Sequence, residues 1–78
     1  MDTITYRAVI HKAHIGFLNS IIESYEGLAV VRTVDAPSGV VELWVSPPFE
    51  DLVLAIMDDL AVEIGLQTLQ KVTYRIAQ

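Results

Sequence analysis

The chain has no cysteine, and its 78 residues include only five basic side chains against ten acidic ones. The lack of cysteine excludes disulfides, thiolate metal sites and thiol nucleophiles, and it favours a reducing cytoplasm. The net charge of −5 opposes binding to nucleic acid, because phosphates repel an acidic protein. No apolar run reaches the roughly 18–20 residues that span a membrane, and no signal peptide is visible. We therefore expect a cytoplasmic protein with neither nucleic-acid nor membrane partners.

The motifs of common catalytic, cofactor and metal sites are missing as well. The sequence contains no glycine-rich phosphate loop, no G-x-S-x-G, no H-E-x-x-H and no C-x-x-C. His11 and His14 could supply two metal ligands or an acid and a base, but no third ligand is evident nearby. Asp58 and Asp59 would point about 100° apart on a helix, so they do not converge. We expect no metal, no cofactor and no enzymatic activity; a small dimeric α+β enzyme using either histidine is a minor alternative.

What the sequence does contain is a regular succession of strand and helix patterns. β-branched runs alternate with period two, and two apolar stripes follow helical spacing. The turn at 35–39 predicts an antiparallel hairpin, and Gly27 and Gly65 are typical residues just beyond helix ends. In order, we predict a strand at 3–10, a helix that begins between Lys12 and Ile15 and runs to Tyr25, strands at 28–35 and 40–46, a helix from Pro47 to Ile64 and a strand within 66–76.

This element order predicts an α+β fold with one domain over residues 1–78. Right-handed crossovers turn β-α-β-β-α-β into a ferredoxin-like sandwich, a four-stranded antiparallel sheet of strand order 4-1-3-2. Both helices then lie on one face of the sheet, and the other face stays open. Because the chain is 53% hydrophobic and small, some apolar surface should meet a partner chain. We expect a homodimer or a higher homo-oligomer.

Strand parity predicts which side chains the open face carries. Four of the five basic residues fall on it, together with the only tryptophan, whereas most acidic residues fall on the helices. Guanidinium groups beside an indole are typical of protein interfaces, and they could also hold a carboxylate, a phosphate or a stacked base. The candidate residues for an interface or an anion site are Arg7, Arg32, Glu42, Trp44, Lys71 and Arg75.

A resemblance to known families rests on the segment from Ile15 to Asp35, followed by V-E-L-W-V and P-F-E-D-L-V-L. These stretches resemble a short bacterial family known only as a domain of unknown function. More distantly, the chain resembles ACT domains, small regulatory modules with the same element order that bind amino acids between paired subunits. ACT domains often have Asp-x-x-Gly-x-Leu between the first strand and first helix; Gly16 and Leu18 match it, and Ala13 replaces the acidic residue.

The ACT resemblance implies a ligand site between two subunits. It would use His14, Ile15 and Gly16 of one subunit and the 27–30 segment, including Gly27 and Leu28, of its neighbour. The chain is thus interpreted as a non-enzymatic, ACT-like homo-oligomeric module that regulates a partner or binds an amino acid or another small ligand. The alternative is a purely structural interaction domain that docks through its open sheet face.

Overall fold

A computed structural model describes residues 3–72, and within this range the alternating patterns form four strands and two helices. The strands pair antiparallel in the order β2-β3-β1-β4, which is the predicted order counted from the other edge. The ferredoxin-like α+β fold is therefore confirmed. The elements are β1 (Ile4–Val9), α1 (Ile15–Glu23), β2 (Ala29–Asp35), β3 (Val40–Val45), α2 (Glu50–Ile64) and β4 (Thr68–Val72), with 3₁₀ turns at Lys12–His14 and Pro47–Phe49.

The hydrophobic core lies between the two helices and one face of the sheet. Leu18 and Ile22 of α1 are fully buried there, as are Leu43 of β3 and Met57 of α2. These residues follow the two predicted stripes, since helical spacing and strand alternation bring their side chains to a shared layer. The outer parts of the stripes are not covered: Phe17, Tyr25, Phe49 and Leu52 are exposed.

The first helix is shorter than predicted. It ends at Glu23 rather than Tyr25, because the chain tightens into a 3₁₀-like turn in which the Tyr25 N–H donates to the Ile22 carbonyl at 3.1 Å. The Ser24 hydroxyl donates to the Ile21 carbonyl at 2.6 Å and caps the same turn. Gly27 follows with a φ of +75°, so it reverses the chain into β2.

The hairpin turn between β2 and β3 depends on Gly39. Its φ is +73°, and a Cβ atom at this position would lie 1.9 Å from the Ile10 carbonyl oxygen. Glycine permits this close approach, and in return the Ile10 N–H donates to the Gly39 carbonyl at 2.9 Å. The turn is thereby fastened to the end of β1.

Strand β2 forms one edge of the sheet and contains a β-bulge. Thr33 lies opposite Val41 and Asp35 lies opposite Val40, so Val34 is an extra residue in the ladder. The regular pairing of β2 with β3 therefore ends at Thr33, before the end of the strand.

The last strand differs from its prediction. It was placed with Val72 facing the helices and Lys71 on the open face, but in the ladder Lys71 lies opposite Tyr6 and Val72 opposite Thr5. Tyr6 faces the core, so Lys71 is on the helix side, and its predicted position on the open face is wrong. Thr73, Tyr74, Arg75 and Ile76, which completed that prediction, lie outside the described residues.

No helix within residues 3–72 has the length and hydrophobicity needed to cross a membrane.

Candidate binding surface on the open face of the sheet

The face of the sheet opposite the helices is called the open face here. Its side chains form three rows across the strands, because residues opposite each other in the ladder lie side by side. The first row is apolar apart from a threonine, the middle row is polar, and the third is largely aliphatic. The rows are Val30, Trp44, Thr5 and Val72; then Arg32, Glu42, Arg7 and Gln70; then Val40, Val9 and Thr68, with Val34 and Asp35 at the bulge.

The structure brings four of the six candidates for the interface or anion site together on the open face. Arg7, Arg32 and Glu42 are neighbours in the middle row, and Trp44 is beside Glu42 in the first row. Lys71 does not lie on the open face, because it pairs with Tyr6 on the helix side. Arg75 lies outside the described residues.

Glu42 is the centre of this group. Only 5% of its surface is exposed, although it sits on the face that no helix covers. Its Oε2 accepts a hydrogen bond from Arg7 Nη2 at 2.7 Å, and its Oε1 accepts one from Trp44 Nε1 at 3.2 Å. A buried carboxylate needs such charged and polar partners, because burial without them is costly. Arg7 and Trp44 are thus held in place by a carboxylate that has already lost most of its water.

Arg32 approaches the same tryptophan from β2. Its guanidinium carbon lies over the indole ring, 5.6 Å from the ring centroid, a cation–π contact. Arg32 is exposed and forms no ion pair with any residue in the range 3–72. Because no described residue forms an ion pair with Arg32, its guanidinium group stays available to an acceptor from outside.

Two shallow grooves run on either side of Trp44. The first has a volume of about 540 Å³ and is lined by Thr3, Thr5, Arg32, Glu42 and Trp44. The second has a volume of about 370 Å³ and is lined by Thr3, Gly27, Ala29, Val30, Trp44 and Ser46. The first groove has the charged side chains of Arg32 and Glu42 in its lining, whereas the second has no charged side chain and combines small and aliphatic residues with the hydroxyls of Thr3 and Ser46.

The residues of the predicted ACT-type site are not brought together within one chain. His14, Ile15 and Gly16 lie at the start of α1, whereas Gly27 and Leu28 follow its other end. The helix has nine residues and is roughly 13 Å long, so its two ends are well separated. The prediction already assigned the two groups to different subunits, so this site stays a prediction. Leu28 is only 2% exposed, which leaves its backbone as the part able to meet a ligand.

The two histidines are close to each other but are engaged in local structure. Their ring centroids are 5.4 Å apart, and His11 Nδ1 accepts a hydrogen bond from the Ala13 N–H at 3.2 Å. This bond caps the 3₁₀ turn that leads into α1. Among residues 3–72, no cluster of three or more potential metal ligands includes them.

A polar network on the helix side was missed by the sequence analysis. The Tyr6 hydroxyl donates to Glu50 Oε2 at 2.5 Å, and Lys71 Nζ lies 3.1 Å from the same oxygen. This hydrogen bond, with burial, raises the pKa of Tyr6 to about 12, and the bonds from Tyr6 and Lys71 lower the pKa of Glu50. A tyrosine with this pKa does not release a proton near neutral pH. We therefore interpret the network as structural: it joins Glu50 of α2 to Tyr6 and Lys71 of the sheet. Only the register of β4 reveals it, because Lys71 is 65 positions from Tyr6 along the chain.

Comparison with protein families places most of the chain within one family model. The model described as Domain of unknown function (DUF4911) matches residues 9–64, from the end of β1 through α2. A search of curated proteins and a search of solved structures found no match. The resemblance to a family of unknown function is confirmed, and the function has to be argued from the geometry.

Proposed function

The chain belongs to the DUF4911 family, a family of unknown function, and we propose from its geometry that it is a non-enzymatic module that self-associates through the open face. The observation that carries this proposal is the buried Glu42 at the centre of a sheet face that no element within residues 3–72 covers. A carboxylate that is 5% exposed in the single chain has little water left to lose. Covering it with a second copy therefore adds little desolvation cost.

The side chains around Glu42 are typical of an interface. Trp44 is 39% exposed, Val30 59% and Val34 48%, so three sizeable apolar side chains face outward on one sheet surface. Tryptophan and arginine are enriched at the centres of protein interfaces, and lysine is depleted there. Lys71 lies on the helix side, so the open face also lacks this lysine, as expected for an interface.

The charges of the molecule favour a second copy as the occupant. The helix side carries exposed acidic residues on both helices and just after α1, namely Glu23, Glu26, Asp51, Asp58, Asp59 and Glu63, so two such surfaces repel each other. The middle row of the open face has both signs, with a carboxylate between two guanidinium groups. A surface of mixed sign can complement itself across a two-fold axis. The open face is therefore the broad surface that can meet its own copy.

Light scattering of purified variants tests this assembly. We expect the unmodified chain to have a mass above that of a single chain, and Trp44→Glu to reduce it to a single chain. Val62→Glu is the matched control, because Val62 is 94% exposed on α2 and its change adds the same charge elsewhere. A single-chain mass for the unmodified protein would refute the proposal, as would equal effects of the two substitutions.

A second candidate function is an ACT-like regulatory role in which the oligomer binds an amino acid. It is favoured by Gly27, an exposed residue without a side chain that lines the second groove, where a neighbouring subunit could complete a site. Thermal-shift screening against amino acids and nucleotides tests it: an amino acid should raise the unfolding temperature. If no amino acid does so, this role is excluded while self-association through the open face is unaffected.

A further inference from the structure

The guanidinium group of Arg32 is an unused anion receptor beside a groove. It lies over Trp44 and has no ion pair within residues 3–72. The two oxygens of Glu42, which lies opposite Arg32 in the ladder, already accept hydrogen bonds from Arg7 and Trp44. We propose that the Arg32–Trp44 groove binds a small monocarboxylate whose apolar body lies against the indole.

The charge balance of the groove favours a monoanion. Two guanidinium groups and one carboxylate leave a single net positive charge among Arg7, Arg32 and Glu42. A phosphate dianion would face the Glu42 carboxylate with nearly twice the charge, within a protein of net charge −5. A carboxylate matches both the planar fork of Arg32 and the size of the positive charge.

Hydroxyl groups supply a second point of contact for the carboxylate. Thr3 and Thr5 line the same groove as Arg32. The Thr5 hydroxyl makes no hydrogen bond to a residue in the described part of the chain. Thr5 is directly opposite Trp44 in the ladder, so its hydroxyl and the indole lie at the same end of the open face. A carboxylate bound to Arg32 would lie next to a hydroxyl donor and an aromatic surface.

The second groove provides space for the apolar body of the ligand. It adjoins Trp44 and is lined by Gly27, Ala29 and Val30, together with Ser46, whose hydroxyl already donates to the Gly27 carbonyl. Thr3 and Trp44 line both grooves, so one molecule can lie across the indole with its charge at Arg32 and its apolar part beyond. The two volumes, about 540 and 370 Å³, are in the range of small-molecule sites.

Because Trp44 is the only tryptophan, its fluorescence reports directly on this groove. Hydrocinnamate serves as the probe, hydrocinnamamide as its uncharged analogue, acetate as the charge without the apolar body, and inorganic phosphate as the alternative anion. We expect a saturable change with hydrocinnamate, a response at least roughly tenfold weaker with acetate, and none with the amide or phosphate at the same concentrations. An equal response to the amide, or tighter binding of phosphate, would overturn the carboxylate assignment.

Arg32→Gln should weaken hydrocinnamate binding by roughly tenfold or more, because it removes the charged fork and keeps a polar side chain. Lys12→Gln is the matched control: Lys12 is an exposed cation without an ion pair to a described residue, and it follows β1 at the end of the sheet remote from Trp44. Equal binding by Arg32→Gln and the unmodified chain refutes the site. Circular dichroism of Arg32→Gln verifies its fold.

The mass of the protein is measured by light scattering in the same titration. This distinguishes a failure of the carboxylate site from a failure of self-association through the open face. A single-chain mass with hydrocinnamate binding refutes self-association and supports the carboxylate site. An oligomer without binding refutes the site and leaves self-association in place. If both hold, ligand and partner compete for Trp44, and hydrocinnamate should shift the mass towards the single chain.

Discussion

Tyr6 and Glu50 are joined by a 2.5 Å hydrogen bond from the phenol to the carboxylate, which links the middle of β1 to the first residue of α2. Lys71 on the neighbouring strand approaches the same carboxylate oxygen at 3.1 Å. Because Tyr6 and Lys71 are opposite each other in the ladder, two strands hold the start of one helix. The position of α2 over β1 and β4 therefore depends on a polar contact as well as on core packing.

The first prediction concerns the phenol itself. Tyr6→Phe should lower the midpoint of thermal unfolding, because a buried residue loses its hydrogen bond to a charged acceptor while keeping its ring. Tyr25→Phe is the matched control, since Tyr25 is 44% exposed just after α1. Equal midpoints for the two variants would show that the Tyr6–Glu50 bond contributes nothing measurable.

The same pair predicts a pH dependence with two limbs. Glu50 has a folded pKa below its ordinary value of 4.5, so its contribution is complete above that value and is lost as the pH falls through the folded pKa. The pKa of Tyr6 is raised from 10.0 to about 12, so its contribution is present below pH 10 and is lost as the pH rises towards 12. Denaturant unfolding at a series of pH values should show both limbs in the unmodified chain and weaker ones in Glu50→Gln.

Tyrosinate absorbance provides an independent measurement of this pair. A step near pH 12 should be absent from Tyr6→Phe and should move to lower pH in Glu50→Gln, because the hydrogen bond to the carboxylate is the main cause of the raised pKa. An unchanged step in both variants would assign that titration to another group.

The two ion pairs of the described residues should differ in strength. The Glu42 side chain is 6% exposed, whereas that of Glu50 is 25% exposed. Arg7→Gln should lower the free energy of unfolding by about 2 kcal/mol, because it weakens the interactions of a buried carboxylate. Lys71→Gln, the matched removal of a cation from the more exposed pair, should have a smaller effect. Urea denaturation of both variants measures the difference, and the reverse order would contradict the assigned burial of Glu42.

Two glycines should respond to alanine in opposite directions. Gly39→Ala should cost at least about 2 kcal/mol, because its φ is +73° and the new Cβ would meet the Ile10 carbonyl oxygen. Gly16→Ala should stabilise the chain by about 0.5 kcal/mol, since Gly16 lies in the first turn of α1 with no atom within 4 Å of an added Cβ. Urea denaturation of both variants checks the pair, and a stable Gly39→Ala would show that the turn can move away from β1.

The sequence was sufficient for the order of elements and for most of the sheet. Period-two alternation in β1, β2 and β3 identified the core side of each strand: this side is deeply buried in β1 and β3, as at Leu43, and half-buried in β2, at Ala29 and Val31. The turn at 35–39 indicated the hairpin, and strand parity placed Arg7, Arg32 and Glu42 on the open face; their positions side by side come from the ladder. The hairpin and the two sides of each strand follow from local patterns, which a single chain displays directly.

The last strand shows where this reasoning stops. Its five residues, Thr68–Val72, do not alternate cleanly between apolar and polar, so their pattern does not identify the buried side. The side is decided by pairing with β1, more than 60 positions away, and by the attraction of Glu50 for Lys71. The grooves beside Trp44 were beyond prediction for the same reason, since Thr3, Gly27 and Ser46 meet there only in the folded chain.

The bulge at Val34 has a consequence for aggregation. An edge strand presents unpaired backbone groups that can template a strand from another molecule, and stacked segments of about six or seven residues are enough to build amyloid. In β2 the irregularity between Thr33 and Asp35 restricts the regular edge to residues 29–33, which is shorter than such a segment. Strand β2 can therefore form an edge of a half-apolar sheet without offering a regular segment long enough to start a fibril.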